Sequence, residues 1–299
     1  MKVFISGSKG FIGSNLTSYL SNFSCYELFD AFGSWKDKYD GGNVIDIGNF
    51  KELRFFIGDR KPDLFINLAI RKGSDYCDLD IRNAYRSNII GMKNVIDLCN
   101  EFNIPLIHFG TTSYYYSDES KTPISETSLI APRTFYGVSK LVQEYLLRNL
   151  ANFKWMIIEP VFIYGNALEF NSGRVESVPD IIMRLSLNDY YKDSEEVKID
   201  PQYIKDYTHI KDLVWMVEKV INKPAWGEKV LVGAGFNQSL NEICGEIISD
   251  LGFKIKFLKK LDYKKNQVHD YTKLNSLYPE WTVKDKINLR EFFRKAGEL

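Results

Sequence analysis

Tyr136 and Lys140 are the residues whose types and spacing could best carry out acid-base chemistry. They stand four positions apart, so a helix would place the phenol and the ammonium on one face. A nearby cation lowers the pKa of a phenol, and such a phenol can pass a proton to or from a substrate oxygen. The pair Tyr207 and Lys211 has the same spacing in this chain of 18 tyrosines, so spacing alone does not identify the site.

The residues upstream of Tyr136 favour the first pair. The run 106–109 has strand character and is followed by Gly110, Thr111 and Thr112. A hydroxyl at the carboxyl end of a parallel strand lies where open sheets bind ligands. We therefore expect Thr112 to bond the substrate oxygen that Tyr136 protonates. The alternative is an ordinary loop whose hydroxyls bond to their own backbone.

A glycine-rich turn follows the first apolar run of the chain. Gly7, Gly10 and Gly13 have the spacing Gly-x-x-Gly-x-x-Gly and open a predicted helix. Such a turn lets the backbone approach a pyrophosphate, which the amides at the helix N-terminus then hold. The prediction is a dinucleotide site whose turn residues are Gly7, Lys9, Gly10, Phe11, Ile12 and Gly13. A plain tight turn is the alternative.

Asp30 and Lys9 bear on which dinucleotide binds. Asp30 ends the second predicted strand, where a carboxylate bonds the ribose hydroxyls of adenosine and repels a 2′-phosphate. Lys9 could instead meet a 2′-phosphate. We expect NAD as the cofactor, with NADP as the alternative, unless Asp30 is a plain loop carboxylate and Lys9 a solvated side chain.

Strand-like and helix-like stretches alternate through the first half of the chain. Strands are predicted at 2–6, 25–30, 64–69, 106–109 and 155–159, with helices near 11–22, 80–102 and 133–150. This alternation predicts an α/β fold with a doubly wound, Rossmann-like parallel sheet and a smaller C-terminal substrate-binding lobe. We predict a dinucleotide-binding domain at 1–165, completed by about 205–235, and a substrate-binding lobe at 166–204 and 236–299. Later helices are predicted near 210–222 and 240–251, with a strand at 229–233.

Composition narrows the class of partner. The chain has 299 residues, 44% of them hydrophobic, and its 39 basic residues balance 39 acidic ones. No global field would draw it to nucleic acid or to an anionic membrane, so a small-molecule ligand is expected. Four scattered cysteines and three isolated histidines suggest reduced thiols and no metal. No apolar run reaches the roughly 20 residues of a membrane span, and we expect a cytoplasmic protein.

Taken in order, the glycine turn, Asp30, Thr112, Tyr136 and Lys140 resemble the extended short-chain dehydrogenase/reductases, the NAD-dependent epimerase/dehydratase family, in its nucleotide-sugar-modifying branch. The resemblance covers nearly the whole chain. It implies catalytic roles for Thr112, Tyr136 and Lys140. It also implies further cofactor contacts at Asp46, Ile47, Leu68, Ala69, Lys72, Asn88, Thr111, Tyr136, Lys140, Pro160 and Phe162.

Departures from the family pattern narrow the expected reaction. Ser113 and Tyr114 stand where dehydratases and decarboxylases commonly carry an acidic residue, which makes those reactions less favoured. Phe162 replaces an asparagine that often touches substrate in epimerases. Lys205 stands where an arginine often grips the substrate diphosphate, and it keeps the charge without the bidentate fork. The resemblance thus implies substrate contacts at Ser113, Tyr114, Phe162, Arg174 and Lys205.

These features favour a ketoreductase of a nucleotide-linked keto-deoxysugar, in which hydride comes from the nicotinamide and the proton from Tyr136. A nucleotide-sugar 4-epimerase with tightly bound NAD is the close alternative. A non-catalytic NAD(P)-sensing module is the alternative from another class, although such proteins usually lack the tyrosine and the lysine. The predicted helices near 80–102 and 133–150 resemble the family's four-helix dimer interface, so we expect a homodimer. Internal packing would explain the apolar faces of these helices equally well. We also expect a role in polysaccharide biosynthesis.

Overall fold

The structure is a computed structural model. It describes residues 1–32, 43–71, 74–115, 123–165, 196–197, 204–239, 256–257 and 267–287. The predicted helix near 240–251 lies outside the described residues, as do the candidate site residues Lys72 and Arg174.

The strands form one large sheet and several short pairs. Their bounds are β1 (Lys2–Ser6), β2 (Glu27–Phe32), β3 (Asn43–Val44), β4 (Leu64–Asn67), β5 (Leu106–Phe109), β6 (Trp155–Pro160), β7 (Ile163–Tyr164), β8 (Glu196–Val197), β9 (Ile204–Lys205), β10 (Thr208–His209), β11 (Lys229–Val232), β12 (Gln238–Ser239) and β13 (Lys256–Phe257). Seven of them make the central sheet in the order β11-β6-β5-β4-β1-β2-β3. Strands β4 and β5 are buried along their whole length, as expected for a sheet covered on both faces.

The helices connect these strands. Their bounds are α1 (Phe11–Leu20), α2 (Phe50–Arg60), α3 (Ser74–Leu79), α4 (Ile81–Tyr85), α5 (Gly91–Phe102), α6 (Phe135–Leu150), α7 (Ile210–Asn222), α8 (Thr272–Leu277) and α9 (Glu280–Val283). A π-helical segment, Arg86–Ile90, joins α4 to α5. Such segments are rare and often lie at functional sites.

The sheet has a switch point beside β1. Strand β1 pairs in parallel with β2 on one side and with β4 on the other, which places Asp30 beside Ile5 and Asn67 beside Ser6. Strand β5 continues the parallel register, with His108 beside Asn67. The carboxyl ends of β1, β2, β4 and β5 therefore share one edge, and ligands bind at such an edge.

The main core lies between the sheet and helices α2 and α5. It contains buried apolar side chains from each of these elements. The Phe4 ring of β1 packs against Phe65 of β4, with ring centroids 4.6 Å apart, and against Phe56 of α2, with centroids 5.4 Å apart. This packing fixes the strands whose ends carry the candidate site.

The chain divides into two compact units. The first unit contains residues 1–115, 129–159 and 217–230, and the second contains 116–128, 160–216 and 231–299. In the second unit, Trp281 donates its indole N–H to the carbonyl of Gly233 at 3.1 Å, and Lys284 bonds Asp212 at 2.5 Å. Our predicted domain boundaries stay a prediction.

The predicted fold class is confirmed: this is a Rossmann-like α/β fold around a parallel sheet. The sequence reading missed β3, α2 and α3. Helix α2 is capped by Asn49, whose side chain accepts from the Glu52 amide at 3.4 Å, and this Asn-x-x-Glu pattern was a readable start signal. Within the described parts of the chain, none of the helices has the length and apolar character to cross a bilayer.

Candidate active site

The glycine turn lies between β1 and α1 at the switch point. Gly7 has a φ of +74°, and a Cβ there would lie 2.8 Å from the backbone nitrogen of Ala69. A Cβ at Gly13 would overlap the carbonyl group of Gly7, so α1 sits directly on the turn. Both positions therefore require glycine.

The same turn fits a dinucleotide. Gly10 is the N-cap of α1 and has no side chain that could cap the helix. The first turn, Phe11, Ile12 and Gly13, contains no acidic residue that would repel a phosphate. The amides of such a helix start are suited to hold a diphosphate. The residues present thus fit an NAD-type cofactor.

Asp30 lies in β2, and Lys9 lies in the glycine turn beside this strand. The amides of Gly7 and Ser8 both donate to the carbonyl of Ala31, at 2.7 and 3.2 Å, which ties the turn to the residue after Asp30. The Lys9 ammonium lies 5.8 Å from the centroid of the Phe32 ring. The Lys9 ammonium therefore lies near the end of the strand that carries Asp30.

Asp46 and Ile47, the predicted adenine contacts, are anchored to the π-helical segment and α5. The Asp46 carboxylate accepts from Arg86 at 2.8 Å and from the Gly48 amide at 2.8 Å. The Ile47 carbonyl accepts from the buried Asn94 amide group at 2.8 Å. The segment is held by its neighbours, and its role toward the cofactor stays a prediction.

Leu68 and Ala69 follow β4 and lie against the turn. The Leu68 amide donates to the Ser6 carbonyl at 3.1 Å, and the Ala69 amide approaches the Ser6 hydroxyl at 3.4 Å. Ser6 in turn donates to Asn67 at 2.7 Å. This bonding brings the β4 end and the glycine turn together.

Tyr136 and Lys140 both lie in α6, as predicted. Helix α6 is capped by Thr134, whose side chain accepts from the Gly137 amide at 3.2 Å. The Lys140 ammonium donates to the carbonyl of Phe109, the last residue of β5, at 2.5 Å. The catalytic helix is thereby fixed to the carboxyl end of the strand.

Electrostatics at this pair differ from the sequence expectation. Burial raises the pKa of Tyr136 to about 12, although a hydrogen bond with the Thr111 side chain acts to lower it. Burial lowers the pKa of Lys140 to about 7. Thr111 and Cys77 are the described groups that act on the phenol, and Lys140 is not one of them. Desolvation has the largest effect on both groups, and the lowering of the phenol's pKa by Lys140 stays a prediction.

Two threonines follow β5, and they have different contacts in the structure. Thr111 hydrogen-bonds with Tyr136 and also donates to the Ser113 hydroxyl at 3.1 Å. Thr112 is buried, and its carbonyl accepts from the Tyr115 amide at 3.2 Å. The catalytic role of Thr112 stays a prediction, with Thr111 the hydroxyl that touches the phenol here. Ser113 is exposed.

Asn88 supports the catalytic helix from within the π-helical segment. Its fully buried side chain accepts from the Arg71 amide at 2.8 Å and donates to the Ser139 hydroxyl at 3.0 Å. Ser139 donates to the Tyr136 carbonyl at 2.8 Å. Asn88 therefore links the segment after β4 to α6, which is a supporting role. Its predicted cofactor contact stays a prediction.

Ser139 and Asp78 are supporting residues that the sequence reading missed. The Asp78 carboxylate accepts from the Phe135 amide at 3.0 Å, at the first turn of α6. Ser139 was readable as a residue three positions after Tyr136 and therefore on a neighbouring face. Asp78 gave no local signal, because it comes from a different helix.

Tyr114, for which a substrate contact was predicted, lies in the interior of the first unit. Its ring is fully buried and its hydroxyl bonds Glu144 at 2.8 Å as well as Glu159. The Tyr114 hydroxyl is thus engaged with two buried carboxylates inside the first unit, and its predicted substrate contact stays a prediction.

Tyr114 is part of a cluster that we call the carboxylate cluster. Its buried members are Tyr114, Tyr115, Glu144, Glu159 and Lys229. Its sixth member, Arg148, is 41% exposed at its side chain and donates to Glu144 at 2.8 Å. Lys229 lies 3.1 Å from Glu144 and 3.9 Å from Glu159, and Tyr115 donates to Glu159 at 2.8 Å. Burial opposes the charged form of Lys229, but the neighbouring carboxylates outweigh it and raise its pKa. The charges compensate one another away from water.

The remaining candidate residues belong to the second unit. Lys205 is buried with its ammonium 4.7 Å from the centroid of the Phe162 ring. Phe162 has a φ of +38°, which is unusual for a bulky residue. Pro160 ends β6. The contacts predicted for Pro160, Phe162 and Lys205 stay predictions.

The fold and the first unit's site together define a class: a Rossmann-like enzyme with a dinucleotide turn and a tyrosine-lysine pair at the switch point of its sheet. The comparisons identify the family within that class. The model of the NAD dependent epimerase/dehydratase family matches residues 3–233, so the chain belongs to this family.

Individual relatives include both reductases and epimerases. The chain is 27% identical over 225 residues to the dTDP-4-dehydrorhamnose reductase of Aggregatibacter actinomycetemcomitans, covering 74% of this chain and 68% of the relative. It is 25% identical over 223 residues to the spore coat polysaccharide biosynthesis protein SpsK of Bacillus subtilis, covering 75% and 70%. A UDP-glucose 4-epimerase structure from Thermotoga maritima, with UDP-glucose, superposes with a TM-score of 0.82 at 19% identity over 100% of this chain and 98% of that one.

Family membership confirms several sequence predictions. The chain is an enzyme of the extended short-chain dehydrogenase/reductase family, it is NAD(P)-dependent, and its family modifies nucleotide sugars. The alternative of a non-catalytic sensing module is not supported.

Proposed function

We propose that this enzyme is an NAD(P)H-dependent ketoreductase of a nucleotide-linked keto-deoxysugar. The observation that carries the proposal is the Tyr136–Lys140 pair, which α6 presents at the carboxyl end of β5, where Lys140 donates to the carbonyl of Phe109 at 2.5 Å. Burial raises the pKa of Tyr136 to about 12, so its phenol is protonated at neutral pH, as an unshifted phenol also is. Reduction of a ketone needs a proton donor at the carbonyl oxygen, whereas oxidation of an alcohol needs a base. A protonated phenol suits the first task.

The mechanism assigns each step to a residue of this chain. When bound, NAD(P)H supplies the hydride that reduces the carbonyl carbon. Tyr136 donates its proton to the carbonyl oxygen, which Thr112 orients. Lys140, with a pKa of about 7, holds the cofactor ribose and offers charge to the phenolate that Tyr136 becomes. Asn88 and Ser139 keep α6 in place during the transfer.

We propose NAD(H) as the preferred cofactor. Asp30 at the end of β2 supports this, because its carboxylate would repel a 2′-phosphate. Lys9, with its ammonium against Phe32 at the same strand end, is the feature that would favour NADP(H) instead.

The proposed substrate is a diphosphate-linked keto-deoxysugar used in polysaccharide biosynthesis. Similarity to a dTDP-4-dehydrorhamnose reductase and to a polysaccharide biosynthesis protein supports this class. Lys205, buried beside Phe162, supports a contact to the diphosphate. Ser113 is exposed after β5 and available to the sugar.

A nucleotide-sugar 4-epimerase is the second candidate. The structural similarity to a UDP-glucose 4-epimerase favours it. In that reaction Tyr136 would first accept and then return a proton, and NAD would stay bound without net consumption.

We further propose a homodimer. Exposed apolar side chains lie on α4 and α6, namely Ile81 and Tyr85 on one helix and Val138 and Tyr145 on the other. Each pair has helical spacing, so each defines an apolar face suited to a second copy. The cytoplasmic location stays a prediction.

Replacing Tyr136 with phenylalanine tests the proposed reaction. The wild type should consume NADH or NADPH in the presence of a nucleoside diphosphate keto-sugar. The assay follows the loss of absorbance of the reduced nicotinamide. Tyr136→Phe should lower kcat by about 10²- to 10⁴-fold and leave the Kd for NADH unchanged, because the phenol contributes proton transfer.

The outcome also separates the two candidates. Purified protein that retains NAD and interconverts two nucleotide sugars without consuming NADH would establish the epimerase and contradict the reductase. Full turnover by Tyr136→Phe would contradict both.

A further inference from the structure

His269 in the second unit is a buried polar side chain that has not been assigned a role. It is 5% exposed, and neither ring nitrogen has a hydrogen-bond partner of normal geometry among the described residues. Burial lowers its pKa to about 4, against the weak opposing effect of the Gln267 backbone. The imidazole is therefore neutral at pH 7, with one N–H to donate. A buried donor without a partner is unfavourable, and it becomes satisfied when another group accepts its hydrogen bond.

The surroundings of His269 form a cation-bearing aromatic site. Its ring stacks on Tyr271 at 6.2 Å with an interplanar angle of 23°, and it meets Phe162 edge-on at 6.4 Å. The Lys205 ammonium lies 4.7 Å from the centroid of the same Phe162 ring. The backbone bridge between Lys205 and Gln267 holds the two chain segments side by side.

Phe162 adds an independent sign of function. Its φ of +38° places a bulky residue in the left-handed region, where backbone strain accompanies functional sites more often than plain structural ones. The Lys205 ammonium and the His269 imidazole both approach the ring held at this position.

We propose that His269 is a substrate-binding residue that donates a hydrogen bond to a phosphate oxygen of the nucleotide, next to Lys205 and against the wall of Phe162. The inference rests on the proposed function and deepens it, because it adds a specific contact to the substrate's diphosphate. An ammonium and an N–H donor in a site that excludes water are the chemistry that recognises a phosphate oxygen. The Lys205 ammonium attracts the negative phosphate, and the His269 N–H forms a directional hydrogen bond that orients it.

Two variants at the same position separate a ligand contact from a structural role. His269→Phe keeps an aromatic ring against Tyr271 and Phe162 but removes the N–H. His269→Asn keeps a donor of smaller size. Calorimetry would measure the binding of UDP, dTDP and GDP, and of the corresponding nucleosides, to the full-length chain. Thermal unfolding without ligand and NADH binding by fluorescence would be measured in parallel.

His269→Phe should bind the preferred nucleoside diphosphate about 10- to 100-fold more weakly, as expected for loss of a hydrogen bond to a charged group. Its Tm without ligand should be unchanged or higher, because the variant removes an unpaired buried polar group. Affinity for the nucleoside and for NADH should change less than about twofold. His269→Asn should recover most of the diphosphate affinity.

Each contrary result has a distinct meaning. A wild type that binds the nucleoside diphosphate, with His269→Phe binding it equally well, overturns this inference and leaves the proposed function intact. A lower Tm and weaker NADH binding in His269→Phe identify a structural histidine and also overturn it. Equal loss of nucleoside and nucleoside diphosphate affinity overturns the phosphate assignment. A wild type that binds NADH but no nucleoside diphosphate, and turns over no nucleotide sugar, refutes the proposed function and this inference with it.

Discussion

At the scale of the residue, the candidate site is governed by desolvation. Tyr136 and Lys140 share one helix face, as the spacing predicted, yet burial moves the pKa of the phenol up and that of the ammonium down. Both shifts favour the neutral forms. In the free protein the site therefore keeps Tyr136 protonated at neutral pH and disfavours the charged form of Lys140.

Lys140→Met should stabilise the free protein while abolishing turnover. The folded-state pKa of Lys140 is about 7, below the ordinary value of 10.5, so the buried ammonium is unfavourable at any pH at which the unfolded chain is protonated. The free energy of unfolding of the variant should exceed that of the wild type by about 2 kcal/mol, and the difference should be largest below pH 7. As the pH rises from 7 toward 10, the wild type should approach the variant in stability.

Urea unfolding of both proteins at pH 6, 8 and 9.5 would measure this difference. A variant that is less stable than the wild type at pH 6 would show that Lys140 is satisfied by its bond to Phe109 and would contradict the argument.

At the scale of the element, the carboxylate cluster contacts the segment that runs from the end of β5 to Tyr115 and fixes its position. A Cβ at Gly110 would lie 2.8 Å from the Glu159 side chain, and the hydroxyls of Tyr114 and Tyr115 both bond Glu159. The cluster thus fixes the segment that carries Thr111 and Thr112. The buried lysine at the start of β11 balances the carboxylates of α6 and β6.

Glu159→Gln should destabilise the protein by about 3–5 kcal/mol, because it leaves Lys229 buried with less compensating charge. The double variant Glu159→Gln with Lys229→Met should recover much of this loss, since it removes both charges. Denaturant unfolding of the single and double variants would measure the coupling.

A surface ion pair provides the matched control. Arg54 and Glu101 bond each other with side chains 53% and 34% exposed, so Glu101→Gln should lower the stability much less than Glu159→Gln does. Equal effects of Glu101→Gln and Glu159→Gln would mean that the cluster is no more than a solvated pair.

At the scale of the whole molecule, the exposed apolar faces of α4 and α6 bear on assembly. Tyr145 is 66% exposed and stands seven residues after Val138, on the same face of α6. Such a face is unfavourable in a monomer and is covered in a dimer.

Tyr145→Glu should convert the proposed dimer to a monomer of 34.7 kDa in light scattering coupled to gel filtration. Phe55→Glu is the control, because Phe55 is 80% exposed on α2, away from the α4 and α6 faces. A wild type that elutes as a monomer at micromolar concentration would remove the basis of the dimer.

The sequence by itself determined the α/β architecture, the glycine turn and the pairing of Tyr136 with Lys140. These depend on local signals: the period of apolar residues, glycine where backbone must approach backbone, and helical spacing within one segment. Tertiary structure decided what could not be read locally. It turned Tyr114 into a buried partner of Glu144 and Glu159, made Asn88 a link between β4 and α6, and set the pKa of Tyr136 upward. Each of these depends on which distant segments exclude water from a side chain, and that is fixed by packing rather than by neighbours along the chain.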